Sequence, residues 1–130
     1  MTHQENTPPG GQIILYSEGQ TNINVRVEGE TVWLTQAAIA ELYQTTSQNI
    51  TIHIKSIYED GELDEIATCK NYLQVQIEGS RSVRRALKHY SLDMILAVGY
   101  RVRSQRGVQF RRWASEKLKE KRKKKTSQKP

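Results

Sequence analysis

The apolar residues of this chain change period twice, and that alternation restricts its fold more than any other feature. Ile13, Ile14 and Leu15 form a short run, Ile23, Val25 and Val27 recur at alternate positions, and Val32 to Leu34 form a third segment. This is the pattern of short strands with one buried face. Glu18-Gly19-Gln20 and Glu28-Gly29-Glu30 mark the breaks, where glycine supplies the positive φ of a tight turn. From Thr35 the spacing becomes helical. Thr35 is placed to cap a helix whose Ala38, Ile39, Leu42 and Tyr43 share a face, and Thr46 to cap a second with Ile50, Ile54, Ile57 and Tyr58 inside. Gly61 suits a left-handed cap after Glu59-Asp60. Residues 72–90 return to alternation as a hairpin around Glu78-Gly79-Ser80-Arg81. A third helix is expected from Ser91, burying Leu92, Ile95 and Leu96 and stopping near Gly99, and a fourth carries Phe110, Trp113, Ala114 and Leu118. Strands and helices in this order predict an α+β fold.

Charge divides the chain unevenly. Residues 1–69 carry two basic and ten acidic side chains, residues 70–110 eight basic and two acidic, and residues 111–130 ten basic and two acidic, within a net charge of +6. An acidic half joined to a strongly basic half points to a polyanionic partner, nucleic acid before membrane. Residues 1–11, with two prolines and two glycines, read as a loose leader, residues 12–118 as the domain, and residues 119–130 as a disordered basic tail. The longest clean apolar run, Met94 to Val98, is far short of the ~20 residues of a membrane span. A leader without a basic or apolar segment is no signal peptide, so a cytoplasmic protein is expected.

Leu34 to Ile54, LTQAAIAELYQTTSQNITIHI, has the requirements of a helix-turn-helix: two short helices, a tight turn, and small Ala40 where they cross. Ile39, Ile50 and Ile54 would lock the pair, leaving Ser47, Gln48, Thr51, Ile52 and Lys55 facing outward. Those side chains suit a major groove, with hydroxyls, an amide able to bond adenine, a lysine for guanine or phosphate, and an apolar group for a thymine methyl. The turn position that glycine commonly fills is Gln44, and an ordinary helical hairpin with a polar outer face satisfies the same spacing. The hairpin after it makes the whole winged-helix-like. Arg81, Arg84, Arg85 and Lys88 lie on this wing, and Arg101, Arg103 and Arg106 in the connection beyond the third helix extend the set of phosphate candidates.

ETVWLTQAAIAELYQTTSQNITIHIKSIYEDGEL, followed by KHYSLDMILAVGYRVRSQRGVQFRRWA, resembles the N-terminal region of the bacterial virulence protein RhuM family over residues 12–118. The resemblance implies a DNA-binding-like domain of pathogenicity islands, prophages and other mobile elements, sometimes joined to or near Fic/Doc-type proteins. The closing segment is also similar to phage antirepressor modules of the Bro-N and KilA-N type, in which a comparable aromatic helix closes the fold. The family implies no catalytic residue. Its members continue into a long helical region, whereas this chain turns basic after Leu118 and stops, as a truncated member would.

Little else carries chemistry. His3, His53 and His89 are scattered without metal-ligand spacing, Cys69 stands alone, and the acidic run from Glu59 to Glu65 lacks the order of a calcium loop. No glycine-rich phosphate loop is present, so neither an enzyme nor a cofactor is expected. The reading is an α+β, winged helix-turn-helix-like domain with a small N-terminal antiparallel sheet and a closing C-terminal helix. It would bind double-stranded DNA in sequence-specific fashion as a nucleoid-associated regulator or antirepressor-like accessory, with a homodimer and a Fic/Doc-type partner left open. An antitoxin- or adaptor-like interaction module is the main alternative. RNA binding and an enzyme fragment follow.

Overall fold

The computed structural model describes residues 11–127, so all of the expected leader except Gly11 lies outside the described residues. Three strands come first: β1 (Gln12–Glu18), β2 (Thr21–Glu28) and β3 (Thr31–Thr35). Helices α1 (Gln36–Leu42), α2 (Ser47–Glu59) and the short α3 (Glu65–Thr68) follow. The hairpin β4 (Cys69–Glu78) and β5 (Arg81–Ser91) leads into α4 (Leu92–Arg101) and α5 (Arg106–Ser127). All five strands form one antiparallel sheet in the order β1-β2-β3-β5-β4. The expected N-terminal sheet is therefore continuous with the hairpin.

The alternating residues decide which face of the sheet is covered. Tyr16 pairs with Ile23, Val27 with Val32 and Leu34 with Tyr90, and all six are buried. Against them pack Ile39 and Leu42 of α1, Ile50, Ile54 and Ile57 of α2, Met94, Ile95 and Val98 of α4, and Phe110 and Ala114 of α5. Tyr16 meets Phe110 and Trp113 edge-on, with ring centroids 5.1 Å apart in each case. These contacts dock the first turns of α5 on strand β1.

Three local expectations need correction. Helix α4 does not stop near Gly99 but continues to Arg101, and it buries Met94, Ile95 and Val98, with Leu92 and Leu96 only half-buried. The basic segment after Leu118 is helical through Ser127 rather than disordered. It buries no apolar side chain, yet it needs no new nucleus, because it extends a helix already anchored by Phe110 and Ala114. Lys117 lies 3.6 Å from Glu120, Lys121 Nζ donates to the Gly29 carbonyl at 2.8 Å, and Arg122 lies 3.7 Å from Glu30. The acidic segment before the hairpin also contains a helical turn, α3, capped by Asp64 accepting from the Ala67 amide at 3.3 Å.

Gly99 has a packing reason rather than a terminating one. Tyr43, the last buried side chain of α1's end, donates its hydroxyl to the Ile95 carbonyl at 2.6 Å inside the core. A Cβ on Gly99 would collide with the Tyr43 hydroxyl and stand 2.8 Å from its Cζ, and one on Gly107 would stand 3.1 Å from the hydroxyl. The two glycines form the seat of that ring. Gly99→Ala gains ~1 kcal/mol of helix propensity but overpacks the seat, at ~1–3 kcal/mol. A lowered urea midpoint at unchanged m-value is the expected outcome. An unchanged or raised midpoint would show that the seat is loose.

Candidate nucleic-acid interface

The helix pair is held by its caps and its turn. Thr35 Oγ1 accepts from the Ala38 amide and Thr46 Oγ1 from the Asn49 amide, each at 3.1 Å, so each threonine satisfies an N–H that the helix leaves open. Between them Gln44 takes the left-handed conformation at φ 57°, which costs a non-glycine residue ~1 kcal/mol. Its side chain gives part of that back: Nε2 donates to the Glu41 carbonyl at 2.9 Å, a bond glycine cannot make. The Thr45 amide closes the turn on the Ala40 carbonyl at 2.9 Å.

Ala40, Ile39, Ile50 and Ile54 are buried, while Ser47, Gln48, Thr51, Ile52 and Lys55 are all exposed on the opposite face of α2. Ile52 is 63% exposed. Gln36 was not among the sequence candidates. Its Nε2 donates to the Ser47 carbonyl at 2.9 Å and also to Thr51 Oγ1, tying the start of α1 to the first turn of α2. Thr51 in turn donates to the Ser47 carbonyl at 3.1 Å. A polar residue one place after an N-cap is the only sequence signal for that role, and it is a weak one.

The hairpin projects beyond the sheet, because β3 pairs only with His89, Tyr90 and Ser91 of β5. Its basic residues do not form one cluster. In the register Val75↔Arg84 and Asn71↔Lys88, Arg84 and Lys88 share a face with Leu73 and Val75, while Arg81 and Arg85 stand on the other with Glu78. Arg85 is held in a bidentate pair by Glu78, at 2.7 and 2.8 Å. That pairing lowers the carboxyl pKa of Glu78. Arg81, Arg84 and Lys88 are exposed.

The base of the hairpin is moored to the outer face of the sheet. Buried Arg26 donates from Nη2 to the Leu73 carbonyl at 3.1 Å and lies 4.5 Å from the centre of the Tyr72 ring. Tyr72 packs edge-on against Trp33 at 5.9 Å and His89 at 5.2 Å. Its hydroxyl donates to Glu28, and burial first, then that carboxylate, push its pKa up to about 12. Sequence reasoning missed this set too, although an arginine between Val25 and Val27 is out of place in an acidic, alternating segment.

The remaining candidates separate. Arg101 is the last residue of α4 rather than part of a connection, and bonds Ser56 Oγ at 3.1 Å and the carboxylates of Asp60 and Glu62 at 3.0 Å each. Arg106, the first residue of α5, donates to the Leu42 carbonyl and, at 2.6 Å, to Thr21 Oγ1. Both stitch elements together. Arg103 is exposed in the intervening turn at φ 54°. Cys69 is partly buried, which raises its thiol pKa and weakens it as a nucleophile. Among the described residues no three His, Cys, Asp or Glu side chains could hold a metal ion together, and no helix is long and apolar enough to cross a membrane.

These features define an α+β domain built on one antiparallel sheet, with a polar helix and a projecting basic hairpin exposed beside it. Residues 67–126 match the family model of the Virulence protein RhuM family. The match bears out the resemblance seen in the sequence over the hairpin and the two closing helices. No curated protein and no solved structure shows significant similarity.

His89 gives the hairpin's mooring a pH dependence. It is buried, and desolvation lowers its pKa from the ordinary 6.5; it bonds the Leu87 carbonyl through Nδ1 at 2.9 Å, as the donor. The unfolded chain therefore binds a proton at a higher pH than the folded one. The stabilisation is complete above the unfolded pKa and is lost as pH falls below it. Urea midpoints should drop as pH falls below about 6.5, and His89→Gln should remove much of that slope. A wild-type midpoint flat over this range would contradict the burial of a neutral imidazole.

Proposed function

We propose that the protein binds duplex DNA, with α2 as the helix that reads the major groove and the β4–β5 hairpin as a wing along the phosphates. The observation that carries this reading is the connection of the elements. The segment β3-α1-α2-α3-β4-β5 inserts a capped helix pair and a short helical turn between two strands of one sheet, with β5 lying between β3 and β4. In that arrangement the hairpin follows the helix proposed to enter the groove after only the short α3. The outward residues Gln48, Thr51, Ile52 and Lys55 supply amide, hydroxyl, apolar and cationic groups on one face. Arg81, Arg84 and Lys88, with the basic face of α5, supply charge that does not depend on sequence.

The protein is, in this reading, a binding protein rather than an enzyme: a cytoplasmic, nucleoid-associated regulator or antirepressor-like accessory of a mobile element or pathogenicity island. One observation favours a second reading as a protein-interaction module. Ile66 is 86% exposed within the acidic segment, beside Asp64 and Glu65, a combination suited to a basic protein partner and unsuited to phosphate.

Selection from genomic fragments at physiological salt supplies the operator, and competition with single-base variants tests the assignment. Gln48→Ala should relax preference at one base position by ~1–3 kcal/mol of discrimination. Lys88→Ala should weaken all sequences alike and reduce the salt slope by about 1. A uniform loss from Gln48→Ala, or a base-specific one from Lys88→Ala, would count against these roles.

A further inference from the structure

We propose that α4 and α5 form a second helix-turn-helix, and that Gln105, Val108, Gln109 and Arg112, outward at the start of α5, read bases in duplex DNA. The backbone repeats a turn already described. Among the described residues, the non-glycine residues with positive φ are Gln44 and Arg103, at 57° and 54°. Each directly follows the residue that ends a helix, Tyr43 after α1 and Val102 after α4. Both turns close in the same way. The Gln44 and Arg103 amides donate to the Glu41 and Tyr100 carbonyls at 3.2 Å, and the Thr45 and Ser104 amides to the Ala40 and Gly99 carbonyls at 2.9 and 3.0 Å. A small, buried residue therefore holds the matching place in each, Ala40 or Gly99. A hydroxyl then caps the next helix: Thr46 for α2 and, one residue sooner after its turn, Ser104 for α5. Ser104 Oγ accepts from the Arg106 amide at 3.1 Å.

The outward faces match as well. On α2 the set is Gln48, Thr51, Ile52 and Lys55, and Gln105, Val108, Gln109 and Arg112 repeat its intervals. That spacing keeps each set on one side of its helix. All four members of the second set are exposed, Val108 by 50%, while Gly107, Phe110 and Ala114 are buried behind them. The chemistry suits base edges: amides for adenine, a guanidinium for guanine, an apolar group for the thymine methyl. From Arg103 to Ser115 there are four arginines and no acidic residue, a balance that favours a polyanion over a basic protein. Arg106 is spent on Leu42 and Thr21, but no such bond holds Arg112 among the described residues. The lysine-rich turns beyond Leu118 lie past this face and add attraction without reading sequence. The second unit rests on the DNA-binding reading of the chain, but not on the part of α2 in it.

The test is a single-base scan of the operator that the wild-type protein selects from genomic fragments, with binding measured for Arg112→Ala, Arg112→Lys and Gln48→Ala. Position 112 is exposed, so urea midpoints should not move. Arg112→Ala should lower discrimination about tenfold or more at one base position, different from the position relaxed by Gln48→Ala. Arg112→Lys keeps the charge but loses the planar fork. It should therefore lose that discrimination too, with the salt dependence unchanged. A phosphate contact behaves in the opposite way: alanine weakens all sequences alike and lysine restores them, and either result overturns the proposal. Discrimination lost in Gln48→Ala but kept in Arg112→Ala overturns the second reading helix alone. Discrimination kept in both, or no selected sequence at all, removes it together with the DNA-binding reading. Discrimination lost in Arg112→Ala but kept in Gln48→Ala supports α5 and takes base reading away from α2.

Discussion

One buried hydrogen bond fixes the geometry on which the rest depends. The Tyr43 hydroxyl reaches from the end of α1 to the Ile95 carbonyl, through a gap that exists only because positions 99 and 107 are glycine. Burial raises the phenol's pKa well above its ordinary value, so it stays a donor. Arg106 reinforces the joint by reaching the Leu42 carbonyl and Thr21 from the start of α5. The first helix of the pair is thereby referenced to α4, α5 and the sheet at one point. The second helix is referenced to the first by Ile39, Ile50 and Ile54 in the core and by Gln36 at the surface. An outward-facing helix can present a defined set of side chains only if its own seat is fixed.

The hairpin is fixed differently. Its free end projects, and its base is held by Arg26, Tyr72, Trp33 and His89 on the face of the sheet away from the main core. The two basic faces of the ribbon are consequently unequal. Arg85 is occupied by Glu78, while Arg84 is turned with Leu73 and Val75 over a groove above β2. The basic half of the chain is also less available than its charge count suggests, since Arg101 and Arg106 are spent on internal contacts. Among the described residues, those that remain exposed include Lys70, Arg81, Arg84, Lys88, Arg103 and most of the basic side chains of α5 as far as Lys123.

Much of this was legible in the sequence wherever the pattern was local. Strands β1 to β3, both threonine caps, the left-handed Gln44 and Gly61, and the outward set on α2 all follow from period and capping chemistry within a few residues. The misreadings were non-local. Gly99 looks like a helix stop until Tyr43, more than fifty positions earlier, is placed against it. The lysine-rich end looks disordered until α5 is anchored by Phe110 and Ala114. Arg101 and Arg106 look like free cations until Asp60, Glu62 and Thr21 are brought beside them. Alternation assigns Arg84 and Arg85 to opposite faces in advance, but only the register opposite Val75 and Gln74 shows what each face contains.

The central claim is that the folded surface of α2 and the hairpin, and not the basic helix alone, engages DNA. Amide chemical-shift mapping on the ¹⁵N-labelled protein with a duplex at physiological salt tests it most directly. The account predicts that the amides of residues 46–55 and of the hairpin between residues 79 and 88 move together along one saturating curve. Shifts confined to the basic turns of α5 after Leu118, with α2 and the hairpin unmoved, would contradict it.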